Sequence, residues 1–137
     1  MKFGLLSNIQ ATRLFLAAVG ITYLYLAVWC SWKPDETSQL VGFELKPGSG
    51  QSEFLVIYGG LELGLACILL LPLVRPKQVE SSLLVCLIVH ACLVLFRSVS
   101  FILYSDIQAM TYKLAVGEWI IFLGAIVLVC CQKKSTP

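Results

Sequence analysis

The chain has 137 residues, enough for one domain. Hydrophobic residues make up 58% of it and charged residues only 13%, against roughly 25% charged in a typical soluble domain. A chain with a mean hydropathy of +0.87 has too few polar side chains to cover a surface in water, so the composition predicts an integral membrane protein. The formal net charge is +2 and the basic residues are not clustered, which argues against a nucleic-acid partner.

Four stretches nearly free of charged side chains predict four membrane spans, at about residues 14–32, 54–74, 82–105 and 114–131. Each is close to the roughly 20 residues that a helix needs to cross the hydrocarbon core. In lipid an open chain satisfies its own backbone hydrogen bonds only as a helix. The sequence thus predicts an all-α, integral membrane four-helix bundle in which residues 1–137 form a single transmembrane domain.

The first apolar run follows Arg13 and is 19 residues long, longer than the roughly 7–15 residues of a signal-peptide core. It ends at Trp29 to Trp32 without a small-residue cleavage site. We therefore expect a retained span rather than a signal peptide. In the long connection that follows, the apolar stretch from Leu40 to Leu45 suggests a short surface-lying element, or simply a few apolar anchors.

The distribution of Lys and Arg predicts the orientation of the spans. With the N-terminus inside, the inner side carries six basic residues and the outer side three, and basic residues favour the cytoplasmic side. The inner group is Lys2, Arg13, Arg75, Lys77, Lys133 and Lys134; the outer group is Lys33, Lys46 and Lys113. We expect both termini to be cytoplasmic and the protein to lie in the plasma (inner) membrane.

Cysteine and histidine form no evident metal or redox site. The six cysteines include no Cys-x-x-Cys pair. Cys86 and His90 are four residues apart and can share a helix face, but two possible ligands do not make a metal site. Neither a metal nor a cofactor is predicted. Cys130 and Cys131 lie at the expected inner boundary, where they would be palmitoylation candidates in a eukaryotic host.

Three charged residues lie inside the predicted spans: Glu62, Arg97 and Glu118. Placing such a side chain in a bilayer costs about 2.5–3.5 kcal/mol on insertion scales. Counted along the helices, they lie about 12, 10 and 8 Å from the outer ends of their spans. The sequence therefore predicts that they meet at a common height in the outer half of the bilayer.

The simplest arrangement places Arg97 between Glu62 and Glu118, because a guanidinium can offer paired donors to two carboxylates. Two acids then face one base, so either one glutamate is protonated or a further cation completes the site. Tyr58, one turn before Glu62, can hydrogen-bond within the cluster. His90, about 10 Å deeper than Arg97, extends the polar track as a proton relay or is a satisfied core histidine.

The same charges allow three interpretations: an ion-paired triad that only fixes helix packing, a functional binding site, or unrelated placements. Close to Glu62, Gly60 and Gly64 form a Gly-x-x-x-Gly step flanked by Gly59. In membranes this step lets another helix approach closely. We expect these three glycines to form a helix-packing face.

At these residues the chain resembles an uncharacterised bacterial family of four-helix membrane proteins, a domain of unknown function with DoxX-like relatives. The resemblance rests on Tyr58-Gly59-Gly60, Glu62, Gly64, Arg97, Ser98 and Glu118. It differs where the family commonly has a basic residue before Tyr-Gly-Gly and a glycine before the arginine. The resemblance implies a four-helix membrane fold and no particular activity.

The sequence favours a binding or accessory membrane protein whose polar cluster holds a small amphiphile, a lipid or a partner helix. Its partners would be membrane lipid, other membrane subunits or a second copy of the chain. The alternative is a proton- or cation-coupled transporter of small molecules. An enzyme is less favoured, because the sequence contains no catalytic motif and His90 is its single histidine.

Overall fold

A computed structural model describes the backbone of residues 2–135 and the side chains of residues 8–132. The side chains of Lys2, Lys133 and Lys134, which enter the orientation prediction, lie outside this described part. Within residues 2–135 there are six α-helices: α1 (Lys2–Trp32), α2 (Pro34–Leu40), α3 (Ser49–Phe54), α4 (Glu62–Val74), α5 (Val79–Leu103) and α6 (Ala109–Ser135). A 3₁₀ turn, Pro76–Gln78, joins α4 to α5.

Four stretches of helix are long and apolar enough to cross a membrane: Asn8–Trp32, Ser49–Val74, Pro76–Leu103 and Ala109–Gln132. This confirms the all-α architecture with four spans and indicates an integral, multi-pass membrane protein. The helices start earlier than the predicted spans, because Arg13 and Glu53 lie within helices rather than at their ends. A charged side chain marks the edge of the hydrocarbon, and the helix can continue through it.

The second span is built from three consecutive segments. α3 runs into a π-helical segment, Leu55–Leu61, which runs into α4. In a π-helix each carbonyl bonds to the amide five residues on, and such segments are frequent at functional sites. This segment contains Tyr58 and ends immediately before Glu62. The backbone is thus widened at the position of the predicted polar cluster.

The four spans form a bundle in which one diagonal pair of helices, α1 and α5, is in contact, whereas the other diagonal pair, α4 and α6, is further apart. α1 contacts α4, α5 and α6, and α5 contacts α4 and α6. α4 and α6 therefore occupy opposite corners. We call the half next to the termini and the α4–α5 turn the terminal half, and the other the loop half. The terminal half is filled by a cluster of buried apolar residues: Leu16, Val19, Leu69, Leu83, Cys86 and Ala125.

Close approach of α1 to its neighbours depends on one glycine of α1, Gly20, and on two glycines that face α1, Gly59 and Gly124. A Cβ at Gly20 would lie 2.8 Å from Leu70 Cγ, and one at Gly124 would lie 2.9 Å from Phe15 Cε2. A Cβ at Gly59 would lie 2.5 Å from Ser31 Oγ on α1. Larger residues at these positions would force the helices apart, so small residues here permit the tight packing typical of membrane helices.

The predicted packing step at Gly60 and Gly64 is not found within the chain. Among the described atoms, nothing lies within 4 Å of a Cβ built at either position. The buried positions of this span include Gly59, Ala66 and Leu69, which follow a different stripe of the helix. Gly60 and Gly64 are offset from that stripe and are exposed, so of the three predicted glycines only Gly59 packs against another helix.

The first connection forms a helix earlier than its apolar residues suggested. α2 covers Pro34–Leu40 and starts with Pro34 at its first position, where the missing amide is not needed. Residues 43–46 are not helical. Phe43 acts as an anchor instead, with its ring centroid 6.4 Å from that of Phe54 and 6.0 Å from that of Tyr58. The connection is thereby fixed against the π-helical segment.

A proline inside α4 is compensated by a serine on α5. Pro72 has no amide hydrogen, so the carbonyl of Ile68, four residues earlier, has no partner within its own helix. The buried Ser82 hydroxyl donates to this carbonyl at 2.8 Å. Proline in membrane helices is tolerated where a neighbouring side chain replaces the lost bond in this way.

Because Ser82 replaces the bond that Pro72 removes, their effects should be coupled. We expect Ser82→Ala to lower the free energy of unfolding by about 1 kcal/mol. In a Pro72→Ala background, where residue 72 donates to Ile68 again, the cost of Ser82→Ala should fall close to zero. Unfolding by SDS in mixed micelles, followed by circular dichroism, measures this double-mutant cycle. Equal costs in both backgrounds would contradict the compensation.

Candidate functional site

A cavity of about 410 Å³ lies in the loop half of the bundle and is lined by residues from all four spans. The five polar residues predicted from the sequence all contribute to its wall: Tyr58, Glu62, His90, Arg97 and Glu118. The rest of the wall is mainly apolar, with leucines from each helix, including Leu26, Leu65, Leu93 and Leu114. The cavity is therefore amphipathic.

Arg97 on α5 and Glu118 on α6 form a two-point ion pair. Arg97 Nε donates to Glu118 Oε2 at 3.0 Å, and Nη2 donates to Oε1 at 2.6 Å. The two side chains are 26% and 14% exposed. Such a fork-to-fork pair is strong and fixes geometry, because both carboxylate oxygens are held. It connects α5 to α6.

Glu62 lies in the same cavity but does not join this pair. Its Oε2 is buried and has no hydrogen-bond partner among the described residues. The expected arrangement, with Arg97 between two glutamates, differs in one part, because among the side chains of residues 8–132 Arg97 forms an ion pair with Glu118 and not with Glu62. Both oxygens of Glu118 accept hydrogen bonds from the Arg97 guanidinium. Glu62 begins α4, and α4 lies at the opposite corner of the bundle from α6, which carries Glu118.

His90 is a fully buried side chain with contacts at both ring nitrogens. Nδ1 lies 2.8 Å from the carbonyl oxygen of Cys86, which can only accept, so Nδ1 is the donor there. In the neutral ring Nε2 then accepts, and the Tyr23 hydroxyl donates to it at 3.3 Å. These contacts are those of a satisfied core histidine. They also link α1 to α5 at the deep end of the cavity.

Tyr23 also lines the cavity, although its direction could not be predicted from the sequence. It lies on α1, which is apolar on all sides over this stretch, so no pattern indicates which face turns inward. In the structure its ring meets that of His90 edge to face, with centroids 5.8 Å apart. It lines the same cavity as Tyr58.

Lys113 and Gly117 are two further residues that the sequence analysis did not assign to the site. The sequence predicts Lys113 as the boundary of the fourth span, and in the structure Lys113 also lines the cavity. Its position within two turns of Glu118 was the available signal. Gly117 lines the cavity too, and a Cβ there would meet no described atom within 4 Å. The missing side chain adds open space beside Glu118.

This geometry defines a class: an all-α, multi-pass membrane protein with an amphipathic cavity inside its helix bundle. Residues 11–130 match the family described as "Domain of unknown function (DUF4345)". The match covers most of the chain, and the protein belongs to this family. No curated protein and no solved structure matches the chain. The membership agrees with the unknown-function family expected from the sequence; its bacterial origin and DoxX-like relatives stay predictions.

The two glutamates of the cavity should respond differently to the same substitution. Glu118→Gln leaves the Arg97 charge without its counter-ion, and we expect the free energy of unfolding to fall by about 2 kcal/mol, below the roughly 3–5 kcal/mol of fully buried pairs. Glu62→Gln breaks no hydrogen bond, so a change under about 0.5 kcal/mol is expected. SDS unfolding in mixed micelles measures both.

The double variant Arg97→Leu/Glu118→Leu serves as a control for this comparison. It removes both charges, so its stability should exceed that of Glu118→Gln. If Glu62→Gln costs as much as Glu118→Gln, then Glu62 takes part in the ion pair and the division described above is wrong.

Proposed function

We propose that this protein binds a small amphiphilic molecule from the membrane in the cavity of its loop half, and that it acts as a binding or accessory subunit. The observation that carries this proposal is the Glu62 carboxylate, which lines an otherwise mostly apolar cavity and has a buried oxygen without a partner among the described residues. A ligand with one polar end and one apolar end would satisfy both parts of this wall.

The size of the cavity supports a small ligand. Its volume of about 410 Å³ falls within the roughly 300–1,000 Å³ of small-molecule sites, which are typically apolar with a few placed polar groups. A partner helix fits less well. One turn of helix, about 10 Å across and 5.4 Å long, already has roughly this volume, so a partner helix would have to bind elsewhere.

The terminal half of the bundle favours binding over transport. Leu16, Leu69 and Leu83 are fully buried there, and with their neighbours they fill the space below His90. A proton- or cation-coupled transporter would need a path through this layer. Moving it would break close packing between helices, which interiors resist. The cavity therefore fits a site that is open on one side only.

We further propose that both termini are cytoplasmic, in a plasma (inner) membrane, since four spans place the ends on one side. The support is the excess of basic residues at that end. A green fluorescent protein fused after Pro137 should fluoresce in a bacterial host, and alkaline phosphatase at the same place should be inactive. An active phosphatase fusion would reverse the orientation.

Filling the cavity should abolish ligand binding. Gly117→Leu places a side chain in the cavity without meeting described atoms at its Cβ, whereas Gly64→Leu makes the same change on the exposed face. The probes are dodecyl amphiphiles with an amine, a hydroxyl or a carboxylate head group. Binding is measured as a rise in the melting temperature of the detergent-solubilised protein, because a ligand that binds only the folded state stabilises it.

At least one of the three probes should stabilise the wild type and Gly64→Leu but leave Gly117→Leu unchanged. The Gly117→Leu protein corrects for effects of each probe on the micelle. If no probe stabilises the wild type more than Gly117→Leu, the cavity is not a binding site for such amphiphiles and the proposal fails.

A further inference from the structure

We infer that the ligand of the cavity carries a protonated amine, which Glu62 binds while the apolar part of the ligand lies against the leucine wall. This inference rests on the proposed binding function and adds the chemical class of the ligand: an amphiphilic organic cation.

The first step of the argument is the charge distribution. Arg97 and Glu118 satisfy one another through two hydrogen bonds, so their charges cancel at short range. Glu62 receives no such donor, and its Oε2 is buried without a partner in the described chain. An unpaired carboxylate in a membrane interior is costly. A cationic donor in the ligand would remove both the missing hydrogen bond and the unbalanced charge.

Lys113 is the other cation that lines the cavity. No ion pair joins it to Glu62 among the side chains of residues 8–132. It is an exposed residue near the start of α6 in the loop half, where a lysine reaches the interface and keeps its hydration. Lys113 therefore does not neutralise the deeper Glu62 carboxylate, which remains available to bind the ligand.

Two aromatic rings support the same ligand class. Tyr23 from α1 and Tyr58 from the π-helical segment line the cavity with Glu62. A cation over an aromatic face is attracted by the quadrupole of the ring, most strongly where water is excluded. Both rings are held in place: Tyr58 stacks on Phe54 with centroids 4.5 Å apart, and the Tyr23 hydroxyl donates to His90.

The combination of these groups separates an amine from other polar heads. An alcohol can donate one hydrogen bond to Glu62, but it leaves the charge unbalanced and gains nothing from the tyrosine faces. A carboxylate head would face Glu62 with a like charge. The apolar wall selects for an alkyl or ring body. Among the three head groups, only a protonated amine uses the carboxylate, both rings and the apolar surface together.

The test compares dodecylamine with dodecanol, which share a chain and differ in the head group. Affinities are taken from the concentration dependence of the melting temperature of the full-length protein in detergent, with Gly117→Leu as the blank. We expect dodecylamine to bind at least about tenfold more tightly than dodecanol, because hydrogen bonds between charged partners are the stronger ones. Glu62→Gln should remove this preference.

Glu53→Gln is the matched control, because Glu53 is an exposed glutamate on α3 in the same span; it should keep the preference in full. Equal binding of amine and alcohol to the wild type would overturn the inference and leave the proposed binding function standing. A preference that survives in Glu62→Gln would also overturn it. Failure of both probes to bind would instead remove the proposed function for this ligand class.

Discussion

A polar group inside this bundle has to find its partner in the chain or in a bound molecule, because hydrocarbon offers no hydrogen bonds. Several contacts between helices follow from this constraint. Among them, Ser82 donates to the carbonyl that Pro72 leaves free, Arg97 is paired with Glu118, and Tyr23 donates to His90. Since lipid is as apolar as a leucine side chain, burial alone does little to choose between helix arrangements. These polar contacts, each joining two spans, help to set the height and rotation of the helices.

The glycines then decide where the bundle is tight and where it is open. Gly20 and Gly124 bring α1 close to α4 and α6, and the terminal half is filled. In the loop half the π-helical segment widens the second span, and Gly117 contributes no side chain to the space beside Glu118. The cavity is thus a consequence of local sequence: close-packing residues in one half, and in the other a widened helix, a missing side chain and long polar groups.

Much of the fold could be predicted from the sequence, because charge-free intervals of membrane length report helix number and position directly. Relative heights could be estimated by counting residues along each helix, and two residues placed at similar heights in this way, Arg97 and Glu118, are in contact. The rotation of each helix about its own axis could not be predicted. The spans are apolar nearly all round, so no amphipathic period shows which face turns inward. Two results share this cause: Gly60 and Gly64 are exposed rather than packed within the described chain, and no direction could be assigned to Tyr23.

Under the proposed function, the structural and functional interpretations of the charge cluster belong to different residues. The pair of Arg97 and Glu118 performs the structural role by itself, since each charge is compensated and two helices are joined. Glu62 contributes no such contact. A glutamine at this position would have nearly the same shape without the cost of a buried charge, so helix packing gives no reason for a carboxylate. A ligand bound in the cavity, as we propose, would supply such a reason. Glu62 therefore differs from Arg97 and Glu118, which satisfy one another. The proposed function of the cavity depends on the ligand group that would bind Glu62 Oε2.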